Sequence, residues 1–279
     1  MQQTIKNSTD YTGIGLHTGN KVHLRFCPGL PDTGIVFFRV DMPDSPCISA
    51  RIEYVNNTHR GVSLRNGSCE IKIVEHILSA INGLRIDNLI VEVSAPELPS
   101  GDGSSQIFVE LLKKAEIVCQ DGCESKLPIK ILSPVWASTK QGHIVILPSE
   151  DYRISFVLHL ENSFVGSQFV SFSISPEIFE REIASARTFG FLSEVEQLKS
   201  QGLAMGGSLS NTVVIGESDY LNNLRFKDEL VRHKILDLIG DLSLIGRPIL
   251  GHVLAVKSGH NLNLILARKI SDLYGSARL

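Results

Sequence analysis

Apolar residues in the first third of the chain recur mostly at every second position. Val22, Leu24 and Phe26 alternate with polar neighbours, and "TGIVFFRV" follows the Pro/Gly turn "PGLPDTG". Both segments predict strands. The spacing then changes to that of a short helix, "IVEHILSAING", closed by Gly83. A strand "DNLIVEVS", a turn-rich "APELPSGDGSS" and a helix "QIFVELLKKAEIV" complete this segment. The polar run "CQDGCESK" at 119–126 reads as a linker, and beyond it the pattern resets to strands. These are "PIKIL", "HIVILP" and "RISFVLHL", the last with Ile154, Phe156, Leu158 and Leu160 in alternation. A helix "PEIFEREIASA" carries Pro176 in its first turn, where the missing N–H costs nothing. The irregular stretch that follows holds a short helix and a Gly-rich turn. After it come the helix "LVRHKILDLIGDL" at 230–242, a strand "HVLAVKS", the turn "GHN" and a last helix "LNLILARKISDLY".

The two halves end alike, each with helix, strand, short polar loop and helix, and His76 and His233 sit near the start of corresponding helices. The pattern predicts an α+β fold made of two similar domains, an internal duplication. Each domain is a sheet with helices on one face, and the helical layers pack together. The boundaries fall at 1–126 and 127–279. In that packing His76 and His233 face each other across the interface.

A net charge of −3 without a dense Lys/Arg run argues against nucleic acid as a partner. The N-terminus has no apolar core of signal-peptide length, and no window has the ~18 apolar residues of a membrane span. The expectation is a soluble cytoplasmic protein, and a monomer. Five scattered cysteines without a CxxC pair read as free thiols.

Along 230–242, His233, Asp237 and Asp241 repeat every four residues and so line one helical face. His233 and Asp237 are spaced to share one metal ion. Catalytic zinc takes three protein ligands, and the duplication nominates His76 as the third. Glu75 then stands beside the ion as a general base for water. No HExxH occurs, so both halves must contribute. Each piece also has a plain reading: an i, i+4 His/Asp pair is commonly solvated, His260 can cap the last helix, and Asp241 can be a surface carboxylate. "GIGLHTG" (13–19) lacks the spacing of a phosphate loop, and "GDGSS" (101–105) reads first as a turn and N-cap.

With these residues in view, the chain resembles the UDP-3-O-acyl-N-acetylglucosamine deacetylase family, the zinc amidases of lipid A biosynthesis. The resemblance runs through "TGIGLHTG", "VEHILSAINGLRIDNLIVEV", "PELPSGDGS", "ARTFGF", "GGS", "LRFKDELVRHKILDLIGDL" and "KSGHNLN", in order along nearly the whole chain. It implies His76, His233 and Asp237 as ligands of one Zn2+, positions that Fe2+ could also use. It implies Glu75 as general base, and His260, oriented by Asp241, as the group that stabilises the oxyanion or protonates the leaving amine. Thr188 would donate to the oxyanion. Lys234 and Lys257 would meet the diphosphate or sugar of a UDP-3-O-acyl-N-acetylglucosamine substrate. Phe189, Phe191 and the segment reaching Gly207 and Ser208 would flank an acyl passage, within an insertion at about 189–217. His17 and His59 would stand at the edge of the substrate site. Two departures stand out. Leu160 occupies a point where an aromatic is expected near uridine, and Gly61 lies where some members carry a cysteine that binds inhibitory metal. The rival readings are a zinc amidase for another N-acyl sugar and a metal-free nucleotide-sugar or lipid binding protein.

Overall fold

A computed structural model of the chain describes residues 1–161 and 163–275. The period-two segments form two five-stranded sheets. The first comprises β1 (Thr9–Ile14), β2 (Lys21–Pro28), β3 (Ile35–Arg39), β4 (Cys47–Ser49) and β5 (Leu89–Val93), in the order β1-β2-β5-β3-β4. The second comprises β6 (Val135–Ser138), β7 (His143–Leu147), β8 (Tyr152–Leu160), β9 (Gly166–Ser173) and β10 (Ile249–Val256), in the order β6-β7-β10-β8-β9. The order is the same in both. So are the senses: the last strand runs parallel to the third, and every other pair is antiparallel. Ile129–Lys130 adds a short parallel strand to β10.

The helices follow the same plan. α1 (Glu75–Gly83) precedes β5 and α2 (Gln106–Lys114) follows it, while α3 (Glu229–Ser243) precedes β10 and α4 (His260–Tyr274) follows it. α3 and α4 lie against the second sheet, α2 against β1, and α1 packs on α3. The apolar sides of the strands point into this helical layer: Val22, Leu24, Phe26, Ile154 and Phe156 are all buried. Burying each such side chain contributes roughly 1.5–3 kcal/mol.

The contact between α1 and α3 is unusually close, and Gly240 permits it. A Cβ there would lie 2.2 Å from the Glu75 carbonyl oxygen. The two helices therefore touch backbone to backbone where the polar residues cluster.

Between its fourth strand and its helix each half carries an insertion. In the first it is a meander of Val55–Asn57, Ser63–Asn66 and Cys69–Lys72. In the second it is the run from 174 to 228, in which Phe189–Phe191 pairs parallel with Val213–Ile215. Two boundaries differ from the sequence expectation. The helix "QIFVELLKKAEIV" stops at Lys114; Glu116 adopts a left-handed φ of 61°, and Ile117–Cys119 turns back as a strand on Gln3–Ile5. The helix "PEIFEREIASA" narrows to one α-turn at Pro176–Ile178, continued by a π-type turn at Phe179–Ile183. No helix among the described residues is long and apolar enough to cross a membrane.

Candidate metal centre

α1 enters the site at its first turn, with Glu75 and His76 both buried. α3 presents His233, Asp237 and Asp241 over successive turns, and all three are buried as well. The solvated-edge reading of that polar line is thereby corrected: Asp241 is 0% exposed, and the line faces α1 and α4 rather than water. One donor atom from each of His76, His233 and Asp237 lies within 4.8 Å of the others. Asp237 Oδ1 sits between the two imidazoles, 3.6 Å from His76 Nε2 and 3.3 Å from His233 Nε2. The two rings cross edge to face at 85°.

The donor set suits a cation on chemical grounds. His233 Nδ1 lies 3.0 Å from the Ala186 carbonyl oxygen, which can only accept, so the ring carries its proton on Nδ1 and offers Nε2 as a lone pair. Burial pushes the His233 pKa down to about 3, which keeps the ring neutral. Burial alone would raise the Asp237 carboxyl, but the cationic Lys234 and His260 hold it well below the usual carboxylate range. Lys234 donates directly to Asp237 Oδ2. Asp237 Oδ1 and His76 Nδ1 remain buried without a hydrogen-bond partner. A buried carboxylate oxygen beside two imidazole Nε2 atoms, with no hydrogen-bond partner of its own, is a site that a divalent ion satisfies.

Beside this cluster stands a carboxylate–imidazole pair, Glu75 and His260. Glu75 Oε2 accepts from the Val62 N–H at 2.9 Å, which fixes the carboxylate, while Oε1 faces His260 Nε2 at 3.7 Å. Burial raises the Glu75 pKa despite the nearby His260 and His76. His260 Nδ1 lies 2.9 Å from Asp241 Oδ2. Burial alone would lower the His260 pKa, but Asp241, Glu75 and Asp237 raise it to about 9, so the ring is cationic at neutral pH. His260 is the first residue of α4 and makes no cap; Gly259 occupies the N-cap position. In the stretch 101–105, Ser104 Oγ accepts from the Gln106 N–H at 3.1 Å, while Ser105, at the N-cap position of α2, makes no side-chain cap and donates its hydroxyl to the His76 carbonyl at 2.7 Å. Gly61 lies against Glu75. With φ at +145° and a built Cβ only 2.4 Å from Ile73 Cδ1, the position excludes a side chain unless Ile73 moves.

Of the remaining expected residues, Phe189 adjoins this centre. The Phe189 ring lies 6.2 Å from His233 and 5.8 Å from Lys234 Nζ. Thr188 is held through its backbone, its N–H donating to the Gly103 carbonyl at 2.8 Å. Phe191 is half-buried in the strand Phe189–Phe191. The Gly207 N–H donates to Ala204, and the Ser208 N–H donates to Asn211 Oδ1 at 2.8 Å. His17 bridges the halves: Nε2 is 3.1 Å from the Arg60 carbonyl, and the His17 carbonyl accepts from the Met205 N–H. His59 is exposed near the meander turn. Lys257 has φ of 51° and pairs with Glu161 at 2.6 Å. Leu160 closes β8, partly buried against the core.

Three groups that hold the site escaped the sequence: the Ala186 carbonyl, the Val62 N–H and the buried Arg187–Glu229 pair. Two are backbone groups with no residue signature, and the third joins side chains 42 positions apart.

Two imidazoles and a carboxylate around one point, with a fixed carboxylate and a cationic imidazole alongside, define the class of metal-assisted hydrolases. The chain belongs to the UDP-3-O-acyl-N-acetylglucosamine deacetylase family. The family model described as LpxC, UDP-3-O-acyl N-acetylglycosamine deacetylase, matches residues 2–272. Proteins named UDP-3-O-acyl-N-acetylglucosamine deacetylase resemble it along most of both lengths. That of Citrifermentans bemidjiense is 45% identical over 94% of this chain and 86% of its own. That of Syntrophus aciditrophicus is 41% identical over 97% and 86%. That of Chlamydia felis is 42% identical over 97% of each.

Proposed function

We propose that this chain hydrolyses the 2-acetamido group of UDP-3-O-acyl-N-acetylglucosamine, releasing acetate, in lipid A biosynthesis, with one Zn2+ held by His76, His233 and Asp237. The observation that carries the reading is the convergence of these three donors with the Glu75–His260 pair on one buried point. When bound, the ion supplies Lewis-acid polarisation of the amide carbonyl and a lowered pKa for water.

The protein's own residues do the rest. Glu75, anchored through Oε2 on Val62, takes a proton from the attacking water through its free Oε1. The new C–O bond forms as the carbonyl π pair moves onto oxygen. Cationic His260 and the Thr188 hydroxyl stabilise that oxyanion. When the tetrahedral species collapses the C–N bond breaks, and the departing nitrogen takes a proton from Glu75 or His260, whose facing atoms are 3.7 Å apart. Asp241 keeps His260 charged and correctly turned. Lys234 and Lys257 meet the sugar and diphosphate, and His17, His59, Gly207 and Ser208 border them. Phe189 and Phe191, in the insertion at about 189–217, flank the acyl chain.

In this reading residues 1–126 and 127–279 are two copies of one unit. The enzyme works as a monomer in the cytoplasm on a small glycolipid precursor, with no nucleic acid involved. The test is a deacetylation assay on the acylated UDP-sugar with a chelator, followed by zinc or Fe2+. Activity that a chelator abolishes and zinc restores is the expected result; activity indifferent to both overturns the metal reading. A substrate with a shortened acyl chain should show a lower kcat/KM. Equal values would favour an amidase for another N-acyl sugar.

A further inference from the structure

The Ala186–Arg187 peptide bond is held on both edges from α3. Its carbonyl oxygen is 3.0 Å from His233 Nδ1, and its N–H donates to Glu229 Oε1 at 3.0 Å. Glu229 and His233 are four residues apart on the same helical face, so one helix grips a single peptide plane with a carboxylate and an imidazole. Rotating that plane breaks both contacts at once. Glu229 is 0% exposed and is saturated around this grip. Arg187 Nε donates to Oε1 at 2.8 Å and its terminal NH2 to Oε2 at 3.1 Å, and the Arg225 N–H donates to Oε2 at 2.6 Å. The Arg187 guanidinium also donates to the Asn223 carbonyl at 2.6 Å. Arg225 in turn reaches Asp102 of the "GDGSS" loop at 2.6 Å and the Ser185 carbonyl at 2.9 Å.

We infer that Glu229 is a positioning residue for the metal ligand His233, acting through the Ala186–Arg187 peptide as a carboxylate–peptide–imidazole relay. Imidazoles that bind metals commonly donate their second N–H to a carboxylate or carbonyl, which fixes the tautomer and strengthens the ligand nitrogen. Here both are present in series. The carboxylate accepts the peptide N–H, the peptide is polarised, and its carbonyl becomes a stronger acceptor for Nδ1–H. Arg187 pairs with both oxygens of the carboxylate and closes the loop back onto the same peptide. An ion pair serving stability alone would have no reason to meet the peptide that orients a ligand. The inference rests on His233 being a metal ligand, as proposed above.

The test compares zinc affinity, by competition with a chelator, with the NMR resonance of His233 Nδ1–H in the metal-free chain. Glu229→Gln keeps the shape and an acceptor but removes the charge. Zinc should bind about 10-fold more weakly, in line with such outer partners of metal ligands, and the Nδ1 proton should move upfield as its hydrogen bond weakens. Arg187→Lys leaves the carboxylate and the peptide N–H bond in place and should bind zinc within about threefold of the parent. Where Glu229→Gln fails to fold, the double variant Arg187→Met/Glu229→Leu removes both charges together, so no buried charge is left unpaired. Folded, it should bind zinc at least as weakly as expected for Glu229→Gln. Folded variants of Glu229 that match the parent in zinc affinity and in the Nδ1 resonance overturn the relay. His233→Ala is the separate control: if it leaves zinc affinity unchanged, the ligand assignment itself fails, whatever Glu229 does.

Discussion

α1 and α3 occupy the same place in two sheets of the same strand order, yet they divide the chemistry unequally. α1 contributes only its first turn, Glu75 and His76. Four residues beyond His76 it carries Ala80, and eight beyond, just past its end, comes Leu84, both buried and apolar. At the equivalent steps beyond His233, α3 carries Asp237 and Asp241. One helix therefore supplies a carboxylate and one imidazole and otherwise packs; the other carries a polar line just over two turns long. The contrast teaches that a shared topology fixes where side chains can meet, while a few substitutions along one helix decide which of them react.

The contrast can be broken at several points. Glu75→Ala removes the base proposed on α1 and should lower kcat by about 10²–10⁴-fold, while metal analysis should still find one zinc per chain. Normal turnover in that variant removes Glu75 from the mechanism. Asp237→Ala on α3 should instead lose the metal itself, seen as loss of stoichiometric zinc after dialysis together with loss of activity. Ala80→Asp would repeat on α1 the four-residue His/Asp step of α3, at a position packed in the core. A buried, unpaired carboxylate there should cost roughly 3 kcal/mol, read as a lower denaturant midpoint; an unchanged midpoint would mean that the site between the helices already admits water.

The smaller effects concern charge and spacing. Activity should rise as Glu75 ionises, above the ordinary carboxylate range, and fall as His260 deprotonates near pH 9. Asp241→Asn removes the main group raising the His260 pKa, so the alkaline limb should move to lower pH. The same shift affects stability. His260 has a raised pKa in the folded chain, so its contribution is complete below about 6.5 and is lost as the pH climbs through about 9. Gly240→Ala forces a methyl toward the Glu75 carbonyl and should cost about 1–3 kcal/mol, measured by thermal unfolding.

Much of this arrangement was legible in the sequence because its signals are local. Alternation at Val22–Phe26 and Ile154–Leu160 located the strands, and the four-residue spacing of His233, Asp237 and Asp241 marked the polar face that the fold buries. The pairing of His76 with them came from comparing the two halves. What stayed hidden depends on long-range backbone geometry. The meander at 55–72 is made of short half-polar strands with little alternation, and its Val62 N–H reaches Glu75 only in the folded chain. The helix past Lys114 read as continuous because Ile117 and Val118 are apolar, but Glu116 takes a left-handed turn that no propensity signals. Burial of Asp241 could not be read either, since a carboxylate on a helix is ordinarily solvated and only α4 bringing His260 over it reverses that expectation.

The touching backbones of α1 and α3 at Gly240 have a consequence for how the two halves depend on each other. Each half holds an incomplete set of donors, so an ion bound across that contact acts as a clasp. Prying the halves apart would dismantle the centre, and filling the centre would oppose separation. Resistance to unfolding should therefore track zinc concentration, gaining about 2.7 kcal/mol when the ion is present at 100 times its dissociation constant. A protein of this design ties its durability to the supply of its metal, and a cell starved of that metal would lose enzyme as well as activity.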